Sequence, residues 1–506
     1  MINSKNLVYD NIPHRIFQNL KSKEEKDFLR LLFPGKQMEC YSYQEIIDSS
    51  LCWTMFYMSK GLKSGDQVVV ILPHSADLYT AYWGAILGGF VPSMFAFPSE
   101  KFSESEYFKT IDKLLDNAKP NLLVIYPALM DKLRTAKKMP EHLEICVPEE
   151  VSKKASSFAM KTQILPEQTA ILQYSSGTTG LKKGVALSHR ALLLQIDSYA
   201  KAIELSKKDT IVSWLPLYHD MGLITGLFLP FIKKIPLVAM SPFDWVKRPD
   251  MMIKAISDYQ GTLCWLPNFA YNFMVKNISG RVQGMDLSSL RGVINCSEPI
   301  INQSHNLFLQ RFSHFGLRPE ALGVSYAMAE NTFAITSGGL KQGIVTDCIS
   351  SKTLSNAGQA ISLENKEDPD AKILVSSGVP LPEVQIDIVS DSGQSLPERH
   401  IGEIVIQSPY MLTNYYHNQD ATQQALRNGL FYTGDLGYIT NRELFVTGRK
   451  KDMIIVGGEN YYPQDIEQIL NEAEGIIPGR NVVFGAVDRE LGTEKIIALA
   501  ETFCII

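Results

Sequence analysis

The sequence predicts an α/β protein. Parallel sheets run through the first two-thirds, an antiparallel β-subdomain spans about residues 372–447, and a small α+β unit follows. Three observations carry this. Short apolar runs alternate with helical stretches, as in Gln67-Val-Val-Val-Ile-Leu72, Asn121-Leu-Leu-Val-Ile125, Thr210-Ile-Val-Ser-Trp-Leu215 and Thr262-Leu-Cys-Trp-Leu266. Such runs belong to strands covered on both faces. Near Lys372 the pattern changes: Val384, Ile386 and Ile388 alternate with polar residues, as do Ile404 and Ile406, the period of half-solvated antiparallel strands. After Thr447 it changes again, to Asp452-Met-Ile-Ile-Val456, a Gly457-Gly458 turn and a helix opening at Pro463, a residue suited to the first helical position.

The elements follow in order. Leu78 to Phe97 carries no charge for twenty residues, about the length of a membrane span. Gly84, Gly88, Gly89 and Pro92 interrupt it, and no Lys/Arg cluster flanks it. It is therefore predicted as a buried helix, Ser75 to Leu87, stopped at the glycine pair and followed by a strand at Val91. A helix near Phe108–Asn117 precedes the Asn121 strand. Ser188 is a predicted N-cap, with Leu192, Leu193, Ile196, Tyr199 and Ala200 on one face of the helix it opens. Ile466, Ile469 and Leu470 make the apolar side of the helix after Pro463, and Asn481–Phe484 and Lys495–Ala500 are later strands. Leu363–Asp370 reads as a solvated turn. The apolar end, Phe503-Cys-Ile-Ile506, is expected to tuck into a sheet or to continue into further chain, since termini are usually polar.

The 506 residues argue for more than one domain or subdomain. A net charge of −5 and a pI near 6.0 give no sign of nucleic-acid binding. Seven scattered cysteines without C-x-x-C spacing fit reduced thiols in the cytoplasm. The N-terminus lacks the apolar core of a signal peptide, and no stable membrane span is expected.

Chemistry concentrates first in Tyr174-Ser-Ser-Gly-Thr-Thr-Gly-Leu-Lys-Lys-Gly184, which holds three glycines, four Ser/Thr hydroxyls and two lysines between apolar runs. Glycine admits close backbone approach, free amides and hydroxyls donate to phosphate oxygens, and lysine neutralises charge. The order of residues is not that of a Walker loop, because Gly184 rather than a hydroxyl follows Lys183. On composition alone a Ser/Thr/Gly-rich surface hairpin fits equally well. Trp214-Leu-Pro-Leu-Tyr-His-Asp-Met-Gly222 puts a histidine beside an aspartate, a pairing that is more often structural than catalytic. Arg291-Gly-Val-Ile-Asn-Cys-Ser-Glu-Pro299 is a strand running into a polar turn. Gly323-Val-Ser-Tyr-Ala-Met-Ala-Glu-Asn-Thr332 offers an aromatic able to stack on a purine and a carboxylate able to hold magnesium. Tyr432-Thr-Gly-Asp435 offers a carboxylate for a vicinal diol, and Gly448-Arg-Lys-Lys-Asp452 a basic run.

In this order and spacing the segments resemble the motifs of the adenylate-forming enzymes. The wording of His219-Asp-Met-Gly-Leu223, Ser241-Pro-Phe-Asp-Trp245, Leu266-Pro-Asn-Phe-Ala-Tyr271 and Gly457-Gly-Glu-Asn-Tyr-Tyr-Pro463 is most like fatty acyl-AMP ligases and, beyond them, AMP-dependent acyl-CoA synthetases. The resemblance implies a large AMP-binding domain, residues 1–448, built on two parallel-rich sheets with helices plus the antiparallel subdomain, and a partial mobile C-terminal domain, residues 449–506. It implies ATP and Mg2+ as cofactors. It also implies activation of a fatty carboxylic acid to acyl-AMP and transfer to an acyl carrier protein thiol, with CoA as the alternative acceptor. Ser175, Ser176, Gly177, Thr178, Thr179, Gly180 and Lys183 would bind phosphate. His219 would border the acyl pocket, and Ser297, Glu298 and Tyr326 would line the adenine site. Glu330 would hold the metal, Asp435 the ribose, and Arg449 nucleotide hydroxyls or phosphate, with Lys451 at the hinge.

Three departures stand out. Lys182 replaces the usual proline, and Ala327 the usual glycine of the Tyr-Gly-x-x-Glu motif. No Ser-Gly-Lys pattern for the family's second lysine appears after Asp452, and Lys495 does not supply it. If the chain ends at Ile506, the resemblance implies ATP binding with poor adenylation. A catalytically impaired nucleotide-binding or carrier-docking module therefore stays open beside the enzyme, as does a luciferase-like oxygenase. Ile349–Ala360 resembles the inserted segment of fatty acyl-AMP ligases that limits domain motion, which favours the carrier protein as acceptor.

Overall fold

The computed structural model describes residues 10–20, 27–97, 104–136, 140, 143–152, 163–174, 183–278, 282–456, 459–488 and 493–502. Two parallel-rich sheets form its body. The larger runs Leu322–Val324, Gly292–Asn295, Leu263–Leu266, Ile211–Ser213, Leu237–Met240, Leu29–Leu32, Glu39–Tyr41, and only the last pair is antiparallel. The smaller runs Val91–Met94, Gln67–Ile71, Leu122–Ile125, Glu144–Cys146, parallel throughout. Every residue of Gln67–Ile71 and Leu122–Ile125 is buried, which is why these runs lack polar alternation.

The charge-free stretch is the helix Ala76–Leu87, with Leu78 N donating to the Ser75 Oγ cap at 3.4 Å. Tyr79 to Leu87 are all buried, and at Gly84 an added Cβ would lie 2.5 Å from Trp53 Cβ and 2.6 Å from Ser50 O. The glycine lets this helix seat against the helix Tyr43–Ser59. No helix among the described residues is long and apolar enough to cross a membrane. Ser188 caps the helix His189–Ala202 through Ala191 N at 3.1 Å. At the base of the larger sheet Arg291 clamps buried Asp209 from two nitrogens, at 2.6 and 2.7 Å, fixing where the Gly292 strand begins.

The antiparallel subdomain pairs Gln385–Val389, Gly402–Gln407, Leu430–Thr440 and Leu426–Arg427, with Glu443–Arg449 on the long strand. Antiparallel pairing starts upstream of the predicted residue 372, since Thr346–Ser350 pairs with Ala371–Val375. The sequence Thr-Asp-Cys-Ile-Ser is half-exposed without clean alternation, so period two does not mark it. Between these strands the helix Ser351–Ala357 buries Leu354 with Ile349 and Ala360 against Tyr438, Phe445 and Tyr462. Beyond the subdomain lie the paired strands Ile454–Val456 and Glu459–Tyr461, the helix Pro463–Glu472 and the hairpin Ile476–Asp488/Thr493–Thr502. Lys372 Nζ meets Asp465 at 2.6 Å and sits 5.4 Å from the Tyr462 ring centroid, tying this unit to the subdomain. Gly457-Gly458 and Phe503–Ile506 lie outside the described residues. The six described cysteines are free thiols, four of them buried.

Candidate active site

The strands Thr169–Tyr174 and Gly184–Ser188 form an antiparallel hairpin. This is the strand–loop–strand expected around the glycine-rich stretch. Ser175, Ser176, Gly177, Thr178, Thr179 and Gly180 lie outside the described residues, as does Lys182. Lys183, at the downstream edge, places Nζ 4.7 Å from the ring centroid of Tyr415. The same tyrosine donates its hydroxyl to Glu330 Oε1 at 2.8 Å. One aromatic thus holds the cation of the loop and the carboxylate of the Tyr326 segment.

The backbone reinforces this junction. Glu330 lies in the 3-10 turn Ala329–Asn331, and its carbonyl accepts from Leu412 N at 2.7 Å. Thr413 N then donates to Ala186 O and Tyr416 N to Gly184 O, while Asn414–Tyr415 pairs with Val185 and Ala186. Residues 412–416 therefore run from the Glu330 turn directly onto the hairpin. Tyr415 had no signal in the sequence, because a two-residue strand is too short to show a period.

His219 precedes the four-residue helix Asp220–Leu223. Its ring is exposed, 4.9 Å from that of Tyr218. Gly222 is required at this helix because an added Cβ would stand 2.2 Å from Pro216 O. Asp220 accepts from Met221 N at 2.8 Å. Burial, with the Glu330 charge adding to it, pushes its carboxyl up to about 6. The aspartate is thus electrostatically coupled to Glu330. A native pKa raised from 3.8 means stability is fullest below about pH 4 and falls as the pH rises to about 6. Asp220→Asn keeps the acceptor for Met221 and removes the buried charge. It raises stability by about 1–3 kcal/mol above pH 6 and by nothing below about pH 4. Urea midpoints of the two proteins at both ends of that window check this.

The Ser297 turn is pinned to a neighbouring helix. Asn268 Oδ1 accepts from Ile301 N and from Asn295 Nδ2, both at 3.1 Å, and Glu298 Oε2 accepts from Phe269 N at 2.8 Å. Ser297 adopts φ +72°, a left-handed conformation that persists only where the surroundings impose it. Its Oγ lies 3.9 Å from Met221 Sδ, so the turn abuts the His219–Asp220 segment. Glu298 has its carboxylate on a backbone amide, and burial pushes its pKa up.

Tyr326, Asp435 and Arg449 meet. The Tyr326 hydroxyl donates to Asp435 Oδ2 at 2.5 Å and Arg449 Nε lies 3.3 Å from Asp435 Oδ1. Asp435 and Arg449 face each other across paired strands. Burial raises the Asp435 pKa, against the opposing pull of Tyr326 and Arg449. The structure thus gathers Lys183 with Glu330, Asp220 with Ser297 through Met221, and Tyr326 with Asp435 and Arg449. These sets are joined because Tyr326 and Glu330 share one short segment.

The AMP-binding enzyme family model matches residues 21–416 of this chain. The chain belongs to that family. This AMP-binding enzyme is 26% identical over 482 residues to a medium-chain-fatty-acid–[acyl-carrier-protein] ligase of Moorena producens, covering 92% of the chain and 81% of the relative. A solved structure from studies of fatty acyl-adenylate ligases of E. coli and L. pneumophila superposes with a TM-score of 0.90 at 26% identity, covering 98% of this enzyme and 88% of that chain. A fatty acyl-adenylate ligase of L. pneumophila, in complex with acyl adenylate and pyrophosphate, superposes with a TM-score of 0.81 at 26% identity, over 99% and 88%. The AMP-binding enzyme thus has the α/β adenylate-forming fold.

Proposed function

We propose that this AMP-binding enzyme activates a fatty carboxylic acid with ATP and passes the acyl group to the thiol of an acyl carrier protein. The observation that carries the proposal is the sharing of Tyr415 by Lys183 and Glu330, which sets a cation and a carboxylate at one junction beside the loop hairpin. The substrate carboxylate attacks the α-phosphorus of ATP. An oxygen–phosphorus bond forms, the bond to the β,γ-pyrophosphate breaks, and acyl-AMP and pyrophosphate result. Both reactants are anionic, so positioning and charge neutralisation govern the rate more than a strong base does.

Lys183 neutralises phosphate charge beside the hydroxyls and amides of Ser175–Gly180. Mg2+ is held by one or two carboxylates together with substrate phosphates rather than by all-protein cages. Glu330, oriented by Tyr415, fits that mode, and the described residues contain no group of three or more His, Cys, Asp or Glu that would make a cage. When bound, the ion supplies further neutralisation of the phosphates. Asp435 takes the ribose hydroxyls, Tyr326 and the Ser297–Glu298 turn border the adenine, Arg449 reaches the nucleotide from the strand edge, and His219 borders the acyl chain. A cytoplasmic setting agrees with the free thiols.

The carrier protein is favoured over CoA by the packing of Leu354 and Ile349 on Tyr462 and by the Lys372–Asp465 bridge. Both hold the unit after Arg449 against the subdomain. Hydroxamate trapping of acyl-AMP with a panel of fatty acids tests the first step, with ATP binding measured separately. ATP binding without any acyl-hydroxamate would overturn it. Thioester formation with a carrier protein and with CoA tests the second. The carrier is expected to react at least about ten-fold faster, roughly 1.4 kcal/mol in the barrier, and equal rates would reassign the acceptor.

A further inference from the structure

Residues 296–300 join the strand Gly292–Asn295 to the helix Asn302–Phe312, and one oxygen holds both ends of this loop. Asn268 Oδ1 accepts from Asn295 Nδ2 at the strand end and from Ile301 N at the helix start. Two further ties run to the same neighbouring segment. Phe269 N donates to Glu298 inside the loop at 2.8 Å, and Cys296 N donates to Leu266 O at 3.2 Å. The stretch that follows the strand Leu263–Leu266 is therefore the template on which the Ser297 turn is laid. The left-handed backbone of Ser297 needs such ties to persist.

The orientation of these amides follows from one backbone group. Ile301 N can only donate, so the Asn268 atom facing it is the oxygen. The Asn295 atom on that oxygen is then the amide nitrogen. His305 Nε2 lies 2.9 Å from the same nitrogen and must accept from it. The imidazole is thus neutral, in keeping with burial, which pushes its pKa down to about 4. On its other side Asn268 Nδ2 donates to Ser304 Oγ at 3.2 Å, and that hydroxyl also accepts from Asn272 Nδ2. Asn268, Asn295, Ser304 and His305 are all buried. Removing the Asn268 oxygen would strand Ile301 N and one Asn295 N–H, and a stranded buried donor costs more than the bond it lost.

We propose that Asn268 is a positioning residue for the nucleotide base, fixing the Ser297–Glu298 turn from both ends in the shape that borders the adenine. The inference rests on the adenine site proposed above. Asn268 bonds to Asn295, Ile301 and Ser304, all on the strand and helix that flank the turn. The Lys183–Tyr415–Glu330 junction is held separately, by the main chain of residues 412–416. Loss of Asn268 is therefore felt at the base and not at the phosphates.

The test measures binding of ATP and of ribose 5-triphosphate, which lacks only the base, by calorimetry with Mg2+ and no acid, using the full-length enzyme. The wild type is expected to prefer ATP by about ten-fold or more, and Asn268→Ala to lose about ten-fold for ATP and less than about three-fold for ribose 5-triphosphate. Asn268→Asp keeps both acceptor bonds, with the Ser304 hydroxyl turned to donate, and stays within about three-fold of wild type for ATP. Ser304→Ala removes the bond on the far side of Asn268, leaves both ties of the oxygen, and also stays within about three-fold. Asn268→Ser, with a shorter reach, falls between, and it carries the comparison if Asn268→Ala does not fold. In turnover, Asn268→Ala raises the KM for ATP about ten-fold, with kcat and the KM for the acid within about three-fold. Equal losses for the two probes, an Asn268→Asp as weak as Asn268→Ala, or a Ser304→Ala that weakens ATP as much, would overturn the proposal. A wild type that binds the two probes equally removes the adenine site beneath it. A wild type that prefers ATP beside an Asn268→Ala that loses nothing overturns the role of Asn268 alone. Both readings are independent of acyl transfer, because no acid is present.

Discussion

Replacing Glu330 with glutamine lowers acyl-adenylate formation about 10²–10³-fold, the scale on which removing one preorganised electrostatic group acts. Glutamine has the same length and still offers an oxygen to the Tyr415 hydroxyl, so the contact at 2.8 Å and the backbone bond from Leu412 survive. What disappears is one negative charge where the metal–triphosphate is proposed to sit. The apparent Mg2+ requirement therefore rises with the loss of rate, and thermal stability does not fall. A second consequence separates this from general damage. The Glu330 charge contributes to the raised pKa of Asp220, so the pKa of Asp220 drops toward the ordinary carboxylate range in the variant. Pyrophosphate exchange across a Mg2+ titration makes the measurement, and exchange within about three-fold of wild type would remove Glu330 from the proposed chemistry.

Asp435→Asn raises the KM for ATP by about 10–100-fold with a smaller change in kcat. The two hydrogen bonds of a carboxylate to a vicinal diol are each worth about 1.5–3 kcal/mol when charged and roughly half that when neutral. The substitution leaves no charge stranded inside, because Arg449 is half exposed at 53%. Tyr326 keeps an oxygen acceptor in the amide. An ATP analogue lacking both ribose hydroxyls completes the comparison. Wild type with the analogue and the variant with ATP lose similar amounts, and the variant with the analogue loses little more. Additive losses would place the ribose elsewhere.

The two cases also mark what a linear chain discloses. Glu330, Tyr326 and Asp435 stand out as candidates because each sits in a compact motif whose residue types are unusual together. Ser75 and Ser188 announce helix starts because capping is local chemistry. The buried strands were visible for the opposite reason, an absence of polar residues along their whole length. Tyr415 was not visible, since its role comes from a two-residue pairing with Val185 and Ala186, more than two hundred positions away in the chain. Asp220 stands beside His219 in the sequence, with nothing local to mark it. Burial and the nearby Glu330 charge, which raise its pKa, exist only in the fold. Antiparallel pairing at Thr346 carries no period-two signal, because partial exposure erases it.

The strip of main chain from Leu412 to Tyr416 behaves as a ruler. Its amides, rather than its side chains, set how far the Glu330 turn stands from the hairpin edge. The number of links between the two anchors is therefore fixed by the backbone, independently of the core packing of Leu412. Insertion or deletion of a single residue there would move one charge relative to the other by a whole peptide unit, a displacement no side-chain rotation restores.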